Sequence, residues 1–173
     1  MTPTRFSLTL PRQQARLVYI AVAYHLGRPG SELDPETLVE HDYGLRHLQP
    51  LLAENLGETA IALELTAFQM TRLESALLGA LNELKMYSLL DAMAGPRGRQ
   101  RSAVNGFDDA LRSAFPEVAS EPDYASQLAG EVMLLRRELD ASFKRAAAVL
   151  AEERQAAEEA RRRHKRPWQF WRR

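Results

Sequence analysis

The last thirteen residues, RRRHKRPWQFWRR, gather the side chains best suited to chemistry at a charged surface. Arg161, Arg162, Arg163, Lys165, Arg166, Arg172 and Arg173 are seven cations with no acid among them, and Trp168, Phe170 and Trp171 stand between them. Both tryptophans of the chain lie in this tail. Guanidinium groups pair with phosphate or carboxylate in a fixed fork, and indole rings bury a large apolar body at an interface. Three kinds of partner fit the combination. An anionic membrane surface would take the rings at headgroup depth and the cations against its lipids. An acidic protein would seat the tryptophans as pocket anchors. Unpaired nucleic acid would stack bases on the rings, and it ranks third because the neighbouring body is acidic.

That acidity is hidden by the average. The chain carries 23 Lys and Arg against 23 Asp and Glu, so removing the seven tail cations leaves 16 against 23, a body of minus seven behind a tail of plus seven. Such asymmetry between segments points to a charged partner. A second basic group, Arg97, Arg99 and Arg101, sits in the stretch Ala94 to Asn105 (AGPRGRQRSAVN), where Gly and Pro indicate a loop. These arginines suit phosphate or a carboxylate-rich surface, and a solvated connector is the plainer reading.

No constellation for catalysis or metal binding is present. The histidines at 25, 41, 47 and 164 have no metal-ligand spacing, and no cysteine completes a site. His41 falls on an apolar helical stripe between Glu40 and Asp42 and reads as a packing histidine. Asp108 and Asp109 are adjacent, so on a helix they point about 100° apart and cannot converge on one substrate atom; they suit the positive end of a helix dipole. GxSxG, GxxxxGK[ST] and GxGxxG motifs are all missing. A non-enzymatic protein without cofactor or metal is expected.

The elements that must position these groups emerge from periodicity. At 173 residues, with 45% hydrophobic and 27% charged residues, the chain suits one globular domain plus an appendage. The N-terminus lacks an apolar run of signal-peptide length, and Leu17 to Leu26 is too short to span a bilayer, so a cytoplasmic location, with peripheral membrane contact through the tail, is expected. Residues 5–10 (RFSLTL) alternate polar and apolar, as a half-buried strand does, and Pro11 opens a helix to about Leu26. Asp34, Pro35 and Glu36 make a helix start, after which Leu38, His41, Leu45, Leu48 and Leu52 share a stripe that Gly44 and Pro50 kink or divide. Residues 59–65 (TAIALEL) alternate again, and Thr66 can cap a helix to about Ala92. Its apolar positions Met70, Leu73, Leu77, Leu81, Leu84 and Tyr87 make it the central core helix. A short helix from Phe107 to Phe115 ends at Pro116. From Tyr124 to Leu150 runs a further apolar stripe, and beyond it an alanine-rich rod supported by the spacings Arg154/Glu158, Glu158/Arg162 and Glu159/Arg163.

The two strand–helix segments match at an offset of 55, FSLTLPRQQA lying over IALELTAFQM. If a two-fold axis relates them, the strands pair antiparallel and both helices cover one side of the ribbon. The expected fold is therefore mainly α, four or five helices with a small two-stranded antiparallel element and a long protruding C-terminal helix. The expected organisation is a strand–helix repeat core over 1–93, a basic loop over 94–106, helices over 107–150 that complete the core or form a homodimer seam, and a charged helix and tail over 151–173.

Residues 7–33 (SLTLPRQQARLVYIAVAYHLGRPGSEL) resemble the ribbon-helix-helix DNA-binding repressors, in which a strand meets Leu-Pro, a helix and a Gly-x-Ser-like turn. The resemblance implies an antiparallel ribbon in the major groove with Arg5, Ser7 and Thr9 reading base edges. It covers about a sixth of the chain. Pro29 and Gly30 depart from the turn, and the second segment would present Ala60, Ala62 and Glu64 on the same face. The principal expectation is an interaction or scaffold protein whose tail binds an acidic protein or anionic membrane surface, and the alternative is a DNA-binding regulator.

Overall fold

The computed structural model describes residues 4–31, 44–94, 102–121 and 123–165, leaving aside the side chains of residues 91, 92, 94 and 163–165. Among the described residues the fold is mainly α. In chain order run β1 (Arg5–Pro11), α1 (Arg12–Gly27), α2 (Leu48–Glu54), β2 (Ala60–Thr66), α3 (Ala67–Ala94), α4 (Phe107–Ala114), a 3-10 turn (Pro116–Ala119) and α5 (Tyr124–Lys165).

The alternation of each strand becomes two faces. Phe6, Leu8 and Leu10 of β1 and Ile61, Leu63 and Leu65 of β2 are buried, while Arg5, Ser7, Thr9, Ala60, Ala62 and Glu64 are exposed. The strands pair antiparallel from Arg5 opposite Thr66 to Pro11 opposite Ala60. Both strands and both following helices begin 55 positions apart, at 5 and 60 and at 12 and 67. The central pair of the ribbon, Leu8 opposite Leu63, joins the two residues that this offset equates. A local two-fold axis of the pairing therefore passes between them, as the repeat predicts. Pro11 has no N–H to give, and the closing end of the ribbon is held instead by Arg12, whose N–H donates to the Thr59 carbonyl at 2.9 Å and whose Nε donates to the Glu58 carbonyl at 3.1 Å.

The two halves differ at the strand-to-helix junction. In the first, Pro11 supplies a helix-ready φ. In the second, Thr66 and Gln69 form a reciprocal cap: the Thr66 N–H donates to Gln69 Oε1 (2.8 Å) and the Gln69 N–H to Thr66 Oγ1 (3.2 Å). Gln69 also donates through Nε2 to the Gly44 carbonyl at 3.0 Å, tying the cap to the approach of α2. Gly44 adopts φ 63, a left-handed conformation that breaks the stripe expected from 34 to 56, and Pro50 lies in the first turn of α2, where its missing donor costs little. Leu45, Leu48 and Leu52 are buried as their stripe requires, whereas His41 lies outside the described residues.

α3 is the central helix, with α1 on one flank and α5 on another. Met70, Leu73, Leu77, Leu81, Leu84 and Tyr87 are all buried. The apolar stripe of α5, from Leu128 through Val132, Leu135, Phe143 and Ala146 to Leu150, belongs to the same core. The 124–150 stripe thus completes the core and does not stand free as a homodimer seam. The physical reason is supply: a two-stranded ribbon is too narrow to cover a 28-residue helix, and α5 is the element that shields its other flank.

Tyr24 of α1 lies on Gly79 of α3. Its ring meets Phe107 edge-on at 5.9 Å between centroids, with the Arg28 guanidinium 5.5 Å away. A Cβ on Gly79 would come within 2.0 Å of Tyr24 Cε1. Gly79→Ala is expected to cost about 1–3 kcal/mol in urea unfolding by displacing that ring, and Tyr24→Ala should relieve the added cost of the alanine in the double variant.

Candidate interaction surfaces

Three surfaces face outward on this frame: the C-terminal part of α5, the outer side of the ribbon, and the outer side of α3. The first is positioned by a set of polar clamps. Gln13 and Gln14, in the first turn of α1, donate through Nε2 to Glu131 and Glu138 of α5, each at 2.7 Å. Arg136 lies 3.7 Å from Glu74 of α3, and the Arg145 guanidinium stacks 5.1 Å from the Phe6 ring centroid. The last clamp is at Glu153, which receives the Thr4 N–H at 3.5 Å. The helix has by then passed the end of β1, so the arm begins after Glu153 and not at Leu150. From Arg154 to Arg162 every side chain is exposed.

Of the sequence-predicted tail residues, Arg161 and Arg162 are exposed on this arm, and Arg163 and Lys165 continue its backbone. The side chains of Arg163 and Lys165, and all of Arg166, Trp168, Phe170, Trp171, Arg172 and Arg173, lie outside the described residues. At 1.5 Å per residue, the twelve steps from Glu153 to Lys165 carry the chain about 18 Å beyond the last clamp. Among the described residues the expected ion pairs Arg154/Glu158 and Glu158/Arg162 are not closed, while Lys144 and Asp140 do pair at 2.8 Å, which raises the Lys144 pKa. Exposed pairs of this kind contribute little, so the backbone helix does most to hold the arm.

The ribbon's outer face presents Arg5, Ser7 and Thr9 in one row and Ala60, Ala62 and Glu64 in the other, with Ser7 directly opposite Glu64. Arg97, Arg99 and Arg101 lie outside the described residues. The chain just beyond these arginines is ordered by acids: the Ser102 N–H donates to both oxygens of Asp108, and the Ser102 hydroxyl donates to Glu83 and accepts from the Val104 N–H. Asp108 and Asp109 occupy the first turn of α4, as the dipole argument requires.

The third surface was not singled out by sequence periodicity. Leu78, Met86, Leu89 and Met93 of α3 are 43, 50, 52 and 76% exposed. Their spacing was readable, but the stronger buried stripe of the same helix dominates the pattern. Elsewhere, Tyr124 has its pKa raised by burial and by Glu117, Glu131 and Glu121, with Arg16 opposing. Among the described residues no group of three or more His, Asp or Glu is arranged to hold a metal, and no helix is long and apolar enough to cross a membrane. Set against protein-family models, curated proteins and solved structures, the chain matches none.

Proposed function

We propose that this protein is a non-enzymatic adaptor that presents the basic aromatic segment after Pro167 to an acidic partner surface, at the end of a helical arm clamped to the body. The observation that carries this reading is the arm itself. A 42-residue helix spends its first part closing the core and then continues with every side chain from Arg154 to Arg162 exposed, ending in the cationic run. Among the described residues no buried side chain of this helix follows Leu150, so its extension is explained by where it delivers the chain. A tail of plus seven is attracted to acidic surfaces, its own body of minus seven included, but the helix carries it about 18 Å beyond the last clamp, farther than the roughly 8 Å screening length at physiological salt, which favours an outside partner over packing at home.

Deleting residues 161–173 tests it. Binding to anionic vesicles, to an acidic polypeptide such as polyglutamate and to single-stranded DNA is measured for both forms, with tryptophan emission reporting on the tail alone. At least about a tenfold loss on one of these ligands is expected, equivalent to about 1.4 kcal/mol; equal binding by both forms on all three overturns the proposal.

A second reading is favoured by the ribbon. Its antiparallel pairing, local two-fold axis and outward Arg5, Ser7 and Thr9 support duplex DNA binding, against which stand Ala60, Ala62 and Glu64 in the other row. This reading expects duplex affinity that survives tail deletion, falls steeply with salt, and is lost on Arg5→Ala with Thr9→Ala.

A further inference from the structure

We propose that the arm of α5 is a self-association surface, on which the arm of a second copy of this chain lies antiparallel. The proposal deepens the adaptor reading, because it rests on the same exposed arm, and it names the second copy as an acidic surface within reach of the tail. Charge along the arm carries it. Glu152 to Glu159 holds four acids and one base, whereas Ala160 to Lys165 holds four Lys and Arg and no acid. These charges are not answered inside the chain: among the described residues, Glu152, Arg154, Glu158, Arg161 and Arg162 are exposed and close no ion pair or side-chain hydrogen bond.

The pattern selects the occupant. An anionic bilayer lying along the arm would meet its four acids as well as its cations, and a uniformly acidic protein would set those acids against like charge. A partner with the same pattern in reverse answers both halves, and a second copy supplies it. A two-fold axis at Ala157 sets Glu152 level with Arg162 of the second copy and Glu153 level with its Arg161, and the symmetry repeats both pairings. Ala156, Ala157 and Ala160 lie between these charges, and their short side chains let the helices approach. A parallel pairing would instead put both cationic runs and both tails side by side. In the antiparallel pair the helix of one copy ends, at Lys165, level with Val149 of the other, where residues 1–151 carry 19 acids against 15 Lys and Arg. The cationic chain is thereby delivered to the net acidic body of its neighbour, while its own last clamp lies about 18 Å behind.

The test uses the full chain in sedimentation equilibrium across a salt series. A monomer–dimer equilibrium that weakens as salt rises is expected. Glu152→Arg with Glu158→Arg, and separately Arg161→Glu with Arg162→Glu, should each weaken the dimer at least about tenfold. All four substitutions together restore the opposition of charge and should return the dimer to near the parent's strength. The four positions are exposed, so each variant should keep the parent's circular dichroism. Orientation is read by cross-linking, since the chain has no cysteine. Under oxidation Ala157→Cys, on the axis, should form a disulfide with its counterpart, whereas Ala151→Cys lies about 18 Å from its own and should not. A parent that stays monomeric at low salt overturns the proposal. So does a dimer indifferent to every charge reversal, or Ala151→Cys cross-linking as readily as Ala157→Cys. Because the Glu152→Arg, Glu158→Arg protein keeps residues 161–173 intact, loss of the dimer and loss of tail binding are read separately.

Discussion

Gly27→Ala is expected to destabilise the protein by about 3 kcal/mol, lowering the melting temperature by roughly 6–12 °C. Gly27 ends α1, and Arg28 after it is extended at φ −74, ψ 137. Backbone freedom is not what the position requires. An added Cβ would stand 2.1 Å from the Asn105 carbonyl oxygen and 2.9 Å from Val104 Cγ1. The obstacle is main chain, and that main chain is fixed: the Val104 N–H is bound to Ser102, the Phe107 N–H donates to the Val104 carbonyl at 3.2 Å, and Ser102 is tied to Asp108. Relief must come from shifting α1 or the start of α4, which carries fully buried Phe107. Gly130→Ala makes a control of opposite sign, because nothing lies within 4 Å of its added Cβ and it sits inside α5. It should stabilise by about 0.5–1 kcal/mol. Urea unfolding followed by circular dichroism measures both. A Gly27→Ala protein as stable as the parent would contradict the packing of α1 on the 102–106 segment.

Gln69→Leu should cost about 2–4 kcal/mol in the same measurement. The side chain is 0% exposed and joins two elements, accepting from the Thr66 N–H and donating to the Gly44 carbonyl. Leucine nearly preserves the volume, so the loss reports on two main-chain groups left without that partner and not on a cavity. Thr66→Val removes only the other half of the cap and is expected to cost about 1 kcal/mol. The double variant should cost less than the two together, because each substitution already breaks the reciprocal arrangement. Strict additivity would mean that Thr66 and Gln69 act separately.

The ribbon and the principal helices were legible because their residues repeat with the period of the element they form. Alternation in RFSLTL and TAIALEL gives both the strands and the outward row of Arg5, Ser7 and Thr9. Spacings of three and four give the buried side of α3 and α5. A stripe states which face is covered and not what covers it, and the α5 stripe was therefore equally readable as core or as a seam between copies. Thr66 was visible as a cap, but the bond from Gln69 to Gly44 crosses 25 positions and leaves no local mark. The same is true of Gly27, whose small size answers to a loop far along the chain. The outward strip of α3 escaped for another reason: a 28-residue helix that is apolar on two sides weakens its own periodic signal. The tail, legible in sequence from composition alone, reaches the described structure only through Arg161 and Arg162 and the backbone to Lys165.

The local two-fold ribbon is also a non-local structure. Its closing contact, Arg12 to Glu58, spans 46 positions, and the pairing runs from there to Arg5 and Thr66. The clamps of α5 span more, from 118 positions between Gln13 and Glu131 to 149 between Thr4 and Glu153. Closing longer loops adds little to the entropic cost, but non-local pairing slows the search. On a ribosome the N-terminal strand must wait, with Phe6, Leu8 and Leu10 uncovered, until its counterpart has emerged. Just before the strand that waits for β2, Thr4 also carries the contact that fixes the base of the arm at Glu153.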